Sequence, residues 1–368
     1  MRQDSWLAPG GGEAAPVPAA PPAAPARGRI GWLDAAKGIG IVLVVIGHAS
    51  GGLIDARWGG QAPALRALFV AIYTFHMPLF FLLSGLLVAE RLERDSRRFV
   101  RGLGMSIVWP YFLWSTIQFT TIYLMSAFVN QPIERYWPVL AALPIRPVSQ
   151  FWFLFALFFM HLLSFATLRA LGATAFLLLA LAAKPLTVLV AMPPALFLVA
   201  SHLPFYGLGV FLGAAGAAAL VIDRPAAARA ALLPLAALLV WLAMAAAPRL
   251  SPTVDVATDT AAALARVAWN GSNFPAALAG TLAALALASF ARGRIAAALA
   301  YLGERTMPVF ILHILVIAGL RIVLARIVPG VDAIAMMAFT AAMGLALPLV
   351  AFAVLRRLGL SHALGLGR

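Results

Sequence analysis

The chain has 368 residues, 63% of them hydrophobic and only 11% charged, with a formal net charge of +14. A water-soluble domain of this size covers itself with far more charge, so a soluble enzyme or binding module is excluded; no nucleic-acid motif or aromatic-interleaved basic stripe accompanies the basic excess. With no cysteine in the chain, disulfides, thiolate metal sites and a cysteine nucleophile are excluded as well.

Residues 1–29 are rich in Ala, Pro and Gly, lack the apolar core of a signal peptide, and read as a disordered tail. The apolar runs that follow predict an all-α integral membrane protein of about ten transmembrane helices. They cover 32–50, 68–89, 103–128, 151–168, 172–191, 196–221, 231–247, 274–291, 307–327 and 333–355. Lys184, Pro185, Pro193 and Pro194 interrupt the fifth to seventh of these. The expected division is a tail (1–29), a membrane domain (30–356) and a short C-terminal tail (357–368). Arg residues crowd the connections that share a side with the N-terminus, notably between Arg91 and Arg101, at Arg292 and Arg294, and at Arg356 and Arg357. The positive-inside rule therefore puts both termini in the cytoplasm and the protein in the cell membrane. Two connections on the opposite side, 130–149 and 248–273, are long enough to carry function.

The first helix begins Trp32-Leu33-Asp34-Ala35-Ala36-Lys37-Gly38 and ends its apolar run at Gly47-His48. Lys37 and His48 are eleven residues apart, about three turns plus 20°, so they share a face about 16 Å apart along the axis. Polar groups inside a membrane helix are costly and turn toward an interior or a watery cavity. Taken singly, Lys37 also reads as a snorkelling residue paired with Asp34, and His48 as an ordinary helix-end histidine. On one stripe, they read together as the two ends of a polar path. Helix depth puts His76 of the second helix about 12 Å below the outer face and His48 about 8 Å below it, so the two can meet.

A basic residue, ten residues and then His on the first helix resembles the signature of the membrane acyltransferase-3 family, with Asp34, Lys37, Gly38 and His48 on the pattern. Phe75-His76-Met77-Pro78 through Ser84-Gly85 is similar to that family's second motif. Phe151-Trp152-Phe153-Leu154 is similar to its aromatic fourth-helix motif, and Gly303-Glu304-Arg305-Thr306 through His313 to its late segment. The order covers the chain from Trp32 to Leu355, and the nearest branch is that of fucose 4-O-acetylase-like sugar O-acetyltransferases. Lys37 stands where Arg is commoner, a point charge in place of a bidentate fork.

The resemblance implies transfer of an acyl group, usually acetyl from acetyl-CoA, to a hydroxyl of a carbohydrate or other cell-envelope acceptor. His48 would be the general base, with His76 positioning the acceptor or binding the oxyanion. Lys37, Ser84, Glu304 and His313 would bind the donor, and Asp34 and Trp152 would support the site; no metal is implied. Simpler readings stand beside these: a packing histidine at the Pro78 kink, a back-bonded Ser84, a surface pair at Glu304 and Arg305, and a belt tryptophan at 152. His161 and His202 read as interhelical glue, Lys184 as a helix end, and the 91–101 cluster as a topology and headgroup signal. A transporter or flippase of an envelope precursor explains the intramembrane polar groups equally well from composition, though not the ordered motifs.

Overall fold

In the computed structural model the described residues are 31–56, 58, 63–94, 96–216, 232–246, 260–270, 272–273 and 274–367. The expected tail 1–29 and the acidic part of the second long connection, Asp255 and Asp259, lie outside them. Among the described residues the fold is all helix. The elements are α1 (Gly31–Asp55), α2 (Pro63–Arg94), α3 (Ser96–Leu103), a π-helical turn (Gly104–Val108), α4 (Trp109–Leu124) and α5 (Tyr136–Ala142). Next come α6 (Trp152–Leu189), α7 (Pro194–Ala214), α8 (Leu232–Ala246), α9 (Thr260–Trp269) and α10 (Phe274–Phe290). The last are α11 (Gly293–Glu304), α12 (Thr306–Ile327) and α13 (Ala333–Arg357).

Six of the described helical stretches are long and apolar enough to cross a membrane, and a seventh forms if α9 and α10, bent by 49°, are one broken span. The 38 residues of α6 would run about 57 Å if straight, nearly twice a hydrocarbon core of about 30 Å. Gly172, at φ 78° and ψ 174°, interrupts it, so that α6 has two limbs. Only glycine enters that backbone region without steric cost. The chain is a multi-pass membrane protein.

Close helix approach explains how a bundle so poor in charge holds together. A Cβ on Gly38 would strike the Leu299 carbonyl of α11, and one on Gly303 would strike the Asp34 carbonyl of α1. Gly85 of α2 likewise meets Tyr206 of α7, and Gly209 meets Leu82. In lipid there is little hydrophobic force between helices, and small residues let dispersion contacts and backbone proximity replace it. The Gly38 and Gly303 contacts fix the start of α1 against α11.

Side-chain caps and loop anchors complete the frame. Asp332 Oδ1 accepts from the backbone N–H of Ile334 and Ala335 at the start of α13, and Asn273 Oδ1 accepts from Ala276 N–H at the start of α10. Arg321, buried in α12, donates to Asn130 Oδ1 at 2.7 Å, and Asn130 Nδ2 donates to the Gly52 carbonyl. The first long connection is thus tied to α1 and α12, and it contains α5. Residues 358–367 do not trail away as a free tail: Trp109 and Trp114 donate their indole N–H groups to the carbonyls of Ala363 and Leu364, and Leu366 is buried.

Candidate active site

The face of α1 that carries Lys37 turns inward. Lys37, Ile41 and Val44, each one turn beyond the last, line a cavity of about 700 Å³. Asp34, only a tenth exposed, holds the Lys37 ammonium at 3.0 Å. Ser84 of α2 and Arg98 of α3 also line the space, as do Ser106 and Ile107 from the π turn. A π turn widens the helix by one residue and recurs at functional sites. Here it leads from α3, which carries Arg98, into α4. Two cations, Lys37 and Arg98, therefore share one chamber whose remaining wall is largely apolar. That is the chemistry of a slot for a molecule with an anionic head and a thin, less polar arm.

The far end of the chamber is made by Val44, Met77 and Phe310. One turn beyond Val44 is His48, one residue before Met77 is His76, and one turn beyond Phe310 is His313. The His48 and His313 rings are 5.1 Å apart between centroids. Tyr73 joins the group: its hydroxyl is 3.1 Å from His48 Nδ1, and its ring is 4.8 Å from that of His76. Three imidazoles and a phenol thus cluster where the chamber ends.

Their protonation geometry follows from their backbone bonds. His76 donates Nδ1–H to the Ile72 carbonyl at 2.8 Å, and His313 donates Nδ1–H to the Val309 carbonyl at 3.0 Å. A carbonyl only accepts, so in the neutral ring each Nε2 carries the lone pair. His313 is fully buried, and its Nε2 has no hydrogen-bond partner among the described residues. An unpaired buried acceptor costs stability and persists where the site uses it. For His48 the bond to Tyr73 admits either donor, so its tautomer follows the tyrosine hydroxyl.

On the other side of the cluster a second cavity, about 450 Å³, lies between α2, α7 and the α9–α10 corner. Tyr73 and His202 line it, so the same tyrosine faces a cavity and touches His48. The His202 ring packs 5.1 Å from Trp152 and 5.4 Å from Phe81. Pro78 lacks the N–H that would have bonded the Thr74 carbonyl, and Thr74 is part of this second wall.

The residues marked in the sequence are distributed as follows. Lys37 and Ser84 line the 700 Å³ chamber, and Asp34 holds Lys37. His48, His76 and His313 form the cluster, so His313 stands beside the base candidate rather than at the chamber mouth. Glu304 pairs with Arg305 at 3.3 Å, and neither lines the chamber. Trp152 lines neither cavity and buttresses His202. Arg98, Tyr73 and His161 were not marked as site residues. His161 donates or accepts at 2.6 Å with the Tyr206 hydroxyl and also lines the chamber. Tyr73 could have been found three residues before His76, a spacing that puts two side chains on one helix face. Among the described residues no three His, Asp or Glu side chains converge as ligands for a metal ion.

Comparison with known proteins adds a family. A model of the acyltransferase family 3 domain matches residues 30–355. The nodulation protein NolL of Mesorhizobium japonicum is 35% identical over 145 residues, 38% of this chain and 35% of that protein. NolL of Sinorhizobium fredii is 37% identical over 91 residues, 23% of each chain. The chain thus matches about a third or less of the length of these relatives. No solved structure matches.

Proposed function

The chain belongs to the acyltransferase-3 family, and from that premise we propose that it is a membrane O-acyltransferase taking acetyl from cytoplasmic acetyl-CoA to a hydroxyl of a carbohydrate or related envelope molecule. The observation that carries this reading is that the chamber holding Lys37 and Arg98 is walled by Val44, Met77 and Phe310, each within one helical turn of a histidine of the cluster, while none of the three imidazoles themselves lines it. The phosphates of the coenzyme sit near the two cations, and the pantetheine arm extends past Ile41 and Val44 toward His48.

The acceptor oxygen approaches from the side of Tyr73. His48 takes the hydroxyl proton on Nε2 as the oxygen attacks the thioester carbonyl, with Nδ1–H donated to the Tyr73 oxygen. The tetrahedral intermediate collapses with rupture of the C–S bond. The imidazolium returns its proton to the departing thiolate, so the products are an ester and free coenzyme thiol. His313, beside His48, is either protonated to steady the oxyanion or neutral to steady the imidazolium; His76 orients the acceptor. In this reading both termini and the Lys37 mouth are cytoplasmic and the apolar segments make ten crossings, supported by the distribution of Arg along the chain.

The test is transfer of radiolabelled acetyl from acetyl-CoA by the full chain in lipid nanodiscs supplied with an envelope extract. Labelled ester that disappears in His48→Ala supports the reading. Label that never leaves the coenzyme, or that transfers equally well without His48, overturns it.

A further inference from the structure

Two cations are buried within helices and line neither cavity: Lys184 in the second limb of α6, 5% exposed, and Arg321 in α12, 9% exposed. Lys184 uses all three ammonium protons close by, on the Asn270 carbonyl at 2.6 Å, the Ser272 carbonyl at 2.8 Å and Ser272 Oγ at 2.7 Å. The proline that follows it, Pro185, which from sequence marks a helix end, lies within α6. The load of Lys184 is the corner between α9 and α10.

Arg321 reaches across the fold. Its Nη1 donates to Asn130 Oδ1 at 2.7 Å, and Asn130 Nδ2 donates to the Gly52 carbonyl of α1 at 3.0 Å. The guanidinium also lies against that stretch of backbone, since a Cβ on Gly52 would sit 3.7 Å from Arg321 Nε. The Asp55 carboxylate, three residues beyond Gly52, acts on Arg321 as the opposite charge. Arg326, five residues further along α12, stands 4.4 Å over the Phe128 ring, so the connection that carries Asn130 is gripped at two points. A side-chain amide suits this relay, because its oxygen accepts from the guanidinium while its nitrogen donates to a carbonyl. A carboxylate does only the first.

Both ends of the relay lie just past the imidazoles. Gly52 is one turn beyond His48 on α1, and Arg321 is two turns beyond His313 on α12, about 6 Å and 12 Å along the axes. Helical side chains lean toward the N-terminus, so a long one at position 321 comes back toward the level of Gly52. In between, Ile317 of α12 and Val45 of α1 meet at Gly344 of α13, where a Cβ would lie 2.9 Å from the first and 3.1 Å from the second. The start of α1 is fixed against α11 at Gly38 and Gly303. The relay fastens its other end to α12. A shift of one residue moves a side chain by about 1.5 Å and 100°, enough to part the two rings. Burying a guanidinium in a membrane helix is costly, and what this one holds in place is the register of α1 on α12.

We propose that Arg321 is the positioning residue of the imidazole pair: through Asn130 it ties the end of α1 to α12 and so holds His48 against His313. Its part in catalysis rests on the acyl-transfer reading; the positioning itself does not.

The chain has no cysteine, so the pair can be replaced by thiols and its proximity read without transfer. The full chain in lipid nanodiscs, carrying His48→Cys and His313→Cys, is treated with dibromobimane, which fluoresces only when it bridges two thiols. The bridge is expected to form, and Arg321→Met to slow it about tenfold, the effect of losing one charge-assisted hydrogen bond. Arg321→Lys, which keeps a donor and a charge for Asn130 Oδ1, should restore most of the rate. Asn130→Asp keeps Arg321 paired and removes only the donor to Gly52. It should slow bridging as Arg321→Met does, and it serves alone if Arg321→Met fails to fold. Trp137→Ala, 73% exposed on α5, should change nothing. In the chain with both histidines, Arg321→Met should lower kcat about tenfold and leave the KM for acetyl-CoA unchanged. In a His313→Ala background that loss should largely vanish, whereas a general loss of stability would persist there. No bridging in the parent chain, bridging at the same rate with and without the relay, or a kcat loss that is the same with and without His313 overturns the proposal. Bridging that depends on Arg321 in a chain that transfers no acetyl sinks the acyl-transfer reading and leaves the positioning in place.

Discussion

The imidazoles of His48 and His313 stand 5.1 Å apart although they come from opposite ends of the chain, on α1 and α12. His313 has its Nδ1–H committed to its own helix and its Nε2 lone pair unspent. Replacing either ring removes a proton acceptor from the point where the inner chamber ends. We expect His48→Ala to lower the rate constant for acetyl transfer by about 10²–10⁴-fold, the usual worth of a general base. His313→Ala should also lower it, and by less than His48→Ala if its part is to steady charge. Acetyl-CoA binding to both variants should match wild type by calorimetry.

Tyr73 fixes the orientation of His48 by a single hydrogen bond of 3.1 Å. A bond of that kind is worth about 1 kcal/mol net, so Tyr73→Phe should slow transfer about fivefold to tenfold through kcat. The KM for acetyl-CoA should stay unchanged, because Tyr73 is not part of the inner chamber. Initial-rate kinetics with acetyl-CoA varied at saturating acceptor separate the two parameters.

Lys37 and Arg98 act on the opposite end. Loss of one charge-assisted contact to a phosphate costs about 1.5–3 kcal/mol, so Lys37→Met or Arg98→Met should weaken CoA binding about tenfold or more. Lys37→Arg should retain most of it, since charge is kept. Calorimetric titration of CoA against each variant is the check.

The α1–α11 contact gives a stability prediction. A side chain on Gly38 collides with the α11 backbone at Leu299, which is not free to swing aside as a side-chain tip would be. Gly38→Val should destabilise the fold by about 1–3 kcal/mol and lower the thermal midpoint in detergent. Gly102→Ala, where nothing lies within 4 Å of the added carbon, should be nearly silent.

The shared face of Lys37 and His48 was legible in the sequence because the helical period alone determines it, and α1 is unbroken between them. The same holds for His76 near Pro78. Partners from distant elements were not legible: whether His313 meets His48 depends on how α12 packs on α1, and no local pattern encodes that. Arg98 looked like one of a run of arginines, and it is the fold of α3 and the π turn that turns this one into the chamber. Lys184 looked like the end of a helix because proline follows it, whereas its real partners are carbonyls beyond residue 269. No local pattern pairs Arg321 with Asn130, which sits in a connection 191 residues away in sequence.

One chamber should open to the cytoplasm and the other to the outside, with the imidazoles between them. Because the chain has no native cysteine, single cysteines at Ser84 and Thr74 report on each chamber alone. In oriented vesicles a membrane-impermeant maleimide should label Ser84→Cys only from the cytoplasmic side, with CoA blocking the reaction, and Thr74→Cys only from the outside, with CoA having no effect. Labelling of both from the same side, or a Ser84→Cys signal that CoA leaves untouched, would contradict the account.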